Sequence, residues 1–379
     1  MTTSDTIIEI RVTPMTLPLK KPYIWSQGVE HAFNVNLIEF VAANGMTGIG
    51  ETTTAPDAAA QAIVLRKITK DFIGRSAFDS ARLQAEAYRA HFLAFGGNMP
   101  RYANQMLSGI DMACLDLQGK LLNRPVWDLL GGARRDSVGY FYFLQGDTVE
   151  EIVADARIAV AEGHPIIYLK VGLSPDRDVE ATAAVRAVIG GARLRLDANE
   201  AWDPALALRM LARLAPYDVE YIEQPTPSTS LEALGQVTAR SPIAIGADQA
   251  VFTLNEVYLA TRRCDADMIA VGPREIGGLR PMMKAAAIAE AAGMKICIHS
   301  SMTTGITTCA EHHVARAIPN LDDGNQIMWQ LLQDNIITSP NVAPVRGQLS
   351  LPGKPGLGFD LDSEAVDRAH ARFNAGQGH

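Results

Sequence analysis

The chain has 379 residues, 47% apolar and 20% charged, with a formal net charge of −8. That length exceeds an ordinary single domain, so one large barrel or two domains is expected, and the composition is that of a globular protein rather than a disordered one. An acidic chain lacks the basic surface that phosphate-backbone binding needs, so nucleic acid is excluded as an expected partner.

The opening residues, MTTSDTIIEIRVTPM, show no basic segment followed by an apolar leader core, and no run of eighteen apolar residues occurs. No membrane span is expected, and the cytoplasm is the expected location. From about residue 6 to 50, IIEIRVTPM, NVNLIEFVAANG and TGIGE alternate around turn signals and predict an antiparallel meander. Helical spacing follows from Asp57 to Leu122, so the first module is α+β.

After NRPVWDLLGG, short apolar runs alternate with amphipathic helices. The runs are VGYFYFL, IIYLKVG, RLRLDANE, VEYIEQP, IAIGADQ, DMIAVGP and KICIHSS. Continuous apolar strands in βα repeats predict a parallel sheet buried on both faces. A last short strand near Asp322 would complete a closed (β/α) barrel of the TIM type. The Gly- and Pro-rich tail LPGKPGLGFDLD is expected to pack back on the first module. The cysteines Cys114, Cys264, Cys297 and Cys309 lie far apart in apolar surroundings without CxxC spacing, which suits buried free thiols in a reducing compartment.

Lys170, Asp197, Glu223, Asp248 and His299 each fall at or just beyond a predicted strand end, the first four about 27, 26 and 25 residues apart, one βα repeat each. In a barrel these side chains converge on the C-terminal mouth, where such folds place their active sites. Three carboxylates on adjacent strands repel one another unless a cation joins them. Hard oxygen donors favour Mg²⁺, with Mn²⁺ as a substitute. Lys170, desolvated and beside a cation, is expected to have its ammonium form disfavoured and so to serve as a base. His299, from the opposite side of the mouth, is expected to handle a proton on the other face of the substrate.

At these residues the chain resembles the mandelate racemase and muconate lactonizing enzyme group of the enolase superfamily. The similarity spans nearly the whole length and rests on SGIDMACLDLQGKLLNRPVWDLLGG, RLDANEAWDP, YIEQP, GADQ and EIGGL. The resemblance implies an N-terminal capping domain, residues 1–125 completed by the tail 346–379, over a modified barrel spanning 126–345. It implies Mg²⁺ held by Asp197, Glu223 and Asp248, and removal of the proton α to the carboxylate of a small-molecule substrate through an enediolate. It also suggests a symmetric homo-oligomer. Substrate contacts are expected from the capping loops at Tyr23, Trp25 and Thr52 to Thr54, and from Asn199 in the RLDANEAWDP motif. In relatives acting on amines, acids after the eighth strand hold the ammonium, and NLDDGNQ places Asp322 and Asp323 near there, with Trp329 close by.

The chain departs from the family pattern. The second strand ends Tyr168, Leu169, Lys170 rather than Lys-x-Lys, so a tyrosine stands where a lysine helps neutralise the substrate carboxylate. Gly272 occupies the sixth-strand position of a lysine or aspartate, which leaves His299 without its usual aspartate partner, and Gln249 follows the third ligand in place of an acid. Arg274 is a candidate replacement for the lost positive charge. Three readings follow: a dehydratase in which Lys170 takes the α-proton and His299 protonates the leaving hydroxyl, a racemase or epimerase using both as bases, and a metal-binding barrel without turnover.

Overall fold

The computed structural model describes residues 3–53 and 57–377. Three antiparallel strands come first, β1 (Ile7–Trp25), β2 (Gly28–Ala42) and β3 (Thr47–Thr52), paired in that order. The helices α1 (Ala58–Ile68), α2 (Ser80–Tyr88) and α3 (Pro100–Leu122) follow. Helix α3 packs so closely on β3 that a Cβ at Gly50 would lie 2.0 Å from the Gly109 carbonyl oxygen, an approach only glycine admits.

After α4 (Val126–Leu129), the stretch read as one strand at 138–144 divides in two. β4 (Val138–Gly139) pairs with a short strand of the tail, and β5 (Tyr142–Phe143) opens the parallel sheet. There follow α5 (Val149–Ala161), β6 (Ile166–Lys170), α6 (Pro175–Ile189), β7 (Arg193–Asp197), α7 (Pro204–Leu214), β8 (Val219–Glu223), α8 (Leu231–Thr238) and β9 (Ala244–Ala247). The last repeats are α9 (Leu254–Arg263), β10 (Met268–Ala270), the one-turn α10 (Pro273–Ile276), α11 (Leu279–Ala291), β11 (Ile296–Cys297) and α12 (Gly305–Ala317). Strands β5 to β11 form a seven-stranded parallel sheet in sequence order. The expected eighth strand is reduced to two isolated bridges, Leu321 with Ile296 and Asn325 with Tyr140, which link the sheet's two ends.

Four of the loops that leave a strand end stop on a side chain that accepts from a free helical N–H. Thr148, Asp203, Ser230 and Thr253 accept from the backbone of Glu151, Leu206, Ala233 and Glu256. These caps fix where the helices begin and so hold the strand ends in register. The tail adds β12 (Ile337–Ser339), β13 (Gln348–Leu349), β14 (Asp360–Leu361) and α13 (Ser363–Asn374). α13 lies on β1, where His370 Nδ1 is 2.7 Å from the Pro14 carbonyl oxygen. Asp116 of α3 ties both regions together, accepting 2.8 Å hydrogen bonds from Ile49 N and Leu357 N.

All four cysteines are free, and Cys264 is exposed rather than buried because it closes α9 in a left-handed conformation with φ 55°. Among the described residues no helix is long and apolar enough to cross a membrane.

Register sets the layers inside the barrel. Lys170 pairs with Asp197 and Asp197 with Glu223 at one level, and Tyr168, Arg195 and Tyr221 pair at the level two residues below. The lower layer is built on Arg195, fully buried, with its guanidinium 4.9 Å from the Tyr221 ring centroid. It donates to Glu220 Oε2 at 2.7 Å, to the Gly324 carbonyl at 2.6 Å and to Asp322 Oδ2 at 2.6 Å. This is a correction to the sequence reading. Asp322 and Asp323 lie toward the N-terminal end of the strands, with Asp323 paired to Arg193 Nη1 at 2.5 Å, because the chain reaches the sheet at Leu321 and the mouth only several residues later. Removing one partner of a buried pair strands the other charge, so Arg195→Ala is expected to cost about 3–5 kcal/mol of stability, measured by urea unfolding.

Candidate active site

The upper layer carries the polar cluster. Strand β6 ends on Lys170, whose ammonium is ion-paired with Asp197 Oδ2 and donates to Asn199 Oδ1 at 2.5 Å. Asn199 itself holds a left-handed backbone, φ 41°, and its N–H donates to Asp197 Oδ1 at 2.8 Å. The Lys170 ammonium also faces the rings of Tyr168, Phe143 and Tyr23 at 5.6, 5.7 and 6.0 Å. Burial alone would lower its pKa, but the charges of Asp197 and Glu223 outweigh burial and hold it above its usual range. Without a cation on the acids, the protein's own groups thus stabilise the ammonium; the expectation of a disfavoured ammonium concerned Lys170 beside a bound cation.

Next along the sheet, Glu223 ends β8 and Asp248 follows β9, both buried. Burial, then the charge of Asp197, pushes Glu223 upward, and burial, then Glu223, does the same for Asp248. Both Asp248 carboxylate oxygens are buried without a hydrogen-bond partner, and His299 Nδ1 lies 3.4 Å from Oδ1. Unsatisfied hard oxygens in a dry site call for a cation. Ligand atoms of Glu223, Asp248 and His299 lie within 4.8 Å of one another, the spacing of an acidic metal site. Asp197 adjoins this group: Tyr168 Oη lies 2.7 Å from Asp197 Oδ2 and 3.0 Å from Glu223 Oε1, its one proton shared between the two carboxylates. Tyr168 is fully buried, its ring stacked on Phe141 at 4.2 Å. Burial, reinforced by the two carboxylates, raises its phenol well above the ordinary value and keeps it neutral.

On the far side, His299 Nδ1 lies 3.3 Å from Glu275 Oε1. The carboxylate that the sequence reading found missing is thus supplied three residues beyond Gly272. No side chain fits at Gly272 itself, where a Cβ would lie 2.0 Å from the His299 carbonyl oxygen. The chain turns instead into α10, whose first turn brings Glu275 back to accept from Gly272 N at 2.8 Å. That Gly-x-x-Glu spacing is a helix-start signal, and it was the available clue to Glu275 in VGPREIGG. Arg274 is ion-paired with Glu275, with its guanidinium 5.5 Å from the Phe252 ring centroid. Its charge answers Glu275.

The remaining expected contacts divide. Tyr23 is buried beside Lys170, and Trp25 lies 6.2 Å from Tyr23 with its indole N–H unpartnered. The loop behind them is held to the barrel by Ser26 Oγ, which donates to the Asn199 carbonyl at 2.8 Å. Thr52 accepts from Asn36 Nδ2 at 3.3 Å within the antiparallel sheet, and Thr54 lies outside the described residues. Trp329 lines a separate cavity of about 350 Å³ with Lys20, Lys21, Phe141 and Asp155. Asp323 is remote from the mouth, as described above. Sequence reasoning also missed Glu51 of β3, whose buried carboxylate caps α12 by accepting from Thr304 N at 2.9 Å, Thr304 Oγ1 at 2.7 Å and Thr307 Oγ1 at 3.0 Å.

An antiparallel sheet with helices, set on a parallel barrel whose strand ends gather a lysine, acids and a histidine, defines a class of enzyme. The chain belongs to the mandelate racemase and muconate lactonizing enzyme group of the enolase superfamily, lyases and isomerases. Residues 7–131 match the mandelate racemase/muconate lactonizing enzyme N-terminal domain, and residues 151–366 match the enolase C-terminal domain-like family. It is 32% identical over 375 residues to muconate cycloisomerase 1 of Rhodococcus opacus, covering 96% of this chain and 98% of that one. It is 28% identical over 408 residues to a probable glucarate dehydratase of Streptomyces coelicolor, covering 98% and 93%. The muconate lactonizing enzyme of Pseudomonas fluorescens complexed with muconolactone superposes with a TM-score of 0.90 at 27% identity, covering 97% of this chain and all of that one.

Proposed function

We propose that the enzyme removes the proton α to the carboxylate of a small molecule, with Lys170 as the base, and that the product-forming step is loss of a β-hydroxyl assisted by His299. The observation that carries this reading is the order of groups across the mouth: Lys170 contacts Asp197 at one end of the row of acids, and His299 contacts Asp248 at the other. A carboxylate anchored on the row would present its α-carbon between the two.

The donor set of Asp197, Glu223 and Asp248 fits Mg²⁺, with Mn²⁺ as a substitute, because it is all carboxylate oxygen and Asp248 is unsatisfied. Such a cation supplies a Lewis acid that lowers the cost of charge building on the substrate carboxylate. The protein's residues do the rest. Asn199 Oδ1 fixes the Lys170 amine, Tyr23 and Phe143 wall it from water, and Glu275 fixes the His299 ring through Nδ1, leaving Nε2 for the substrate. With a cation shared among the acids, their charge no longer holds the ammonium, and Lys170 is available as the neutral amine. Lys170 then receives the α-proton, an enediolate results, and His299 delivers a proton to the departing hydroxyl, which leaves as water.

A second reading, racemisation or epimerisation, gains from Glu275, since a carboxylate-supported histidine is suited to work on the opposite face of the α-carbon. We place the capping unit at residues 1–125 with 346–379 and the catalytic barrel at 126–345. His299→Asn separates the two chemistries. Under dehydration the variant keeps α-proton exchange within about threefold while product formation falls roughly a hundredfold. Under racemisation, exchange from one enantiomer is lost while exchange from the other persists. A variant indistinguishable from wild type by both readouts removes His299 from the mechanism.

A further inference from the structure

We infer that Tyr168 is a positioning residue for the cation-binding acids, tethering Asp197 and Glu223 as a pair through one phenol hydroxyl rather than contacting the substrate carboxylate. The inference rests on the reading of those acids as cation ligands. The hydroxyl is 2.7 Å from Asp197 Oδ2 and 3.0 Å from Glu223 Oε1, so one oxygen from each acid is brought to a common point. Among the described residues no other side chain is hydrogen-bonded to both: Lys170 donates to Asp197 and Asn199, and Tyr221 approaches Glu223 Oε2 only at 3.5 Å.

The ring is equally constrained. It is fully buried and stacked on Phe141 with the planes 3° apart, with Phe143 at 5.5 Å on the tilted side. A phenol on such a rigid mount delivers its proton at a fixed position, whereas a lysine would bring a flexible ammonium that competes electrostatically with any cation the acids bind. The exchange of lysine for tyrosine therefore removes a competing charge and keeps two carboxylates oriented at low entropic cost. It follows that the substrate carboxylate meets no ammonium at this position and would be neutralised by the cation.

The test is Mn²⁺ binding to the full chain without substrate, followed by calorimetry and by the electron paramagnetic resonance signal of free Mn²⁺, for wild type, Tyr168→Phe and Phe141→Leu. Tyr168→Phe keeps the ring and removes only the hydroxyl. It is expected to weaken Mn²⁺ binding about 10- to 100-fold, the usual cost of losing a group that orients a ligand, with the unfolding midpoint in urea changed little. Phe141→Leu loosens the stack and keeps the hydroxyl, and is expected to bind Mn²⁺ within a fewfold of wild type. Equal or tighter binding by Tyr168→Phe, or an equal loss in both variants, overturns the inference. Absence of Mn²⁺ binding in wild type overturns the cation reading on which it stands.

Discussion

Lys170→Ala is expected to lower exchange of the substrate α-proton by about a thousandfold or more, the upper part of the range for a positioned base. The nitrogen is held from two sides: Asp197 and Asn199 bind it, and the rings of Tyr23, Phe143 and Tyr168 face it. No other lysine approaches the cluster among the described contacts, so no substitute base is at hand. The variant also loses a cation that competes for Asp197 Oδ2, and divalent-cation affinity is expected to hold or rise. Exchange in D₂O, followed by proton NMR, and calorimetric cation titration read the two quantities separately. Exchange at the wild-type rate would remove Lys170 as the base.

Glu275→Gln is expected to slow product formation roughly a hundredfold under the dehydration reading, with α-proton exchange within about threefold of wild type. Glu275 is fully buried and meets three partners: His299 Nδ1, the Gly272 N–H and the Arg274 guanidinium. A glutamine retains an acceptor for Gly272 but brings an amide to the imidazole and leaves Arg274 without its charge. The His299 ring then loses the contact that fixes its orientation. A purely structural role would instead depress exchange and product formation together, and simultaneous measurement of both under saturating substrate discriminates. Restoration by Glu275→Asp is not expected, because the shorter side chain cannot span from the first turn of α10 to Nδ1.

The central row of the site was legible in the sequence because its spacing is dictated by the fold. A strand, a loop, a capped helix and a return loop together consume about the same length each time, so Lys170, Asp197, Glu223 and Asp248 recur at 27, 26 and 25 residues and land on one rim. The parallel sheet was legible for the same reason. What failed was whatever depended on local geometry rather than period. Glu275 reaches His299 through a one-turn helix that follows a glycine no side chain can replace. Asp322 and Asp323 were assigned to the mouth because the eighth strand was counted like the others, whereas the chain there makes two bridges and the acids answer Arg193 and Arg195.

Tyr168 shows how a departure from a family pattern acquires meaning only with coordinates. From the sequence it was a lost positive charge. In the structure its hydroxyl is occupied by two carboxylates and its ring by Phe141, so it belongs to the support of the acids.

The measurement that bears most directly on this account is proton NMR of the wild-type enzyme in D₂O with Mg²⁺, against pools of hydroxy acids, sugar acids, amino acids and betaines. The account predicts loss of an α-proton signal from at least one carboxylate, abolished by chelation of the cation and absent in Lys170→Ala, with a new product signal for dehydration or a stereoisomer for racemisation. An α-proton that exchanges equally well with Lys170→Ala, or retention of every α-proton signal by an enzyme shown to bind Mg²⁺, would contradict it.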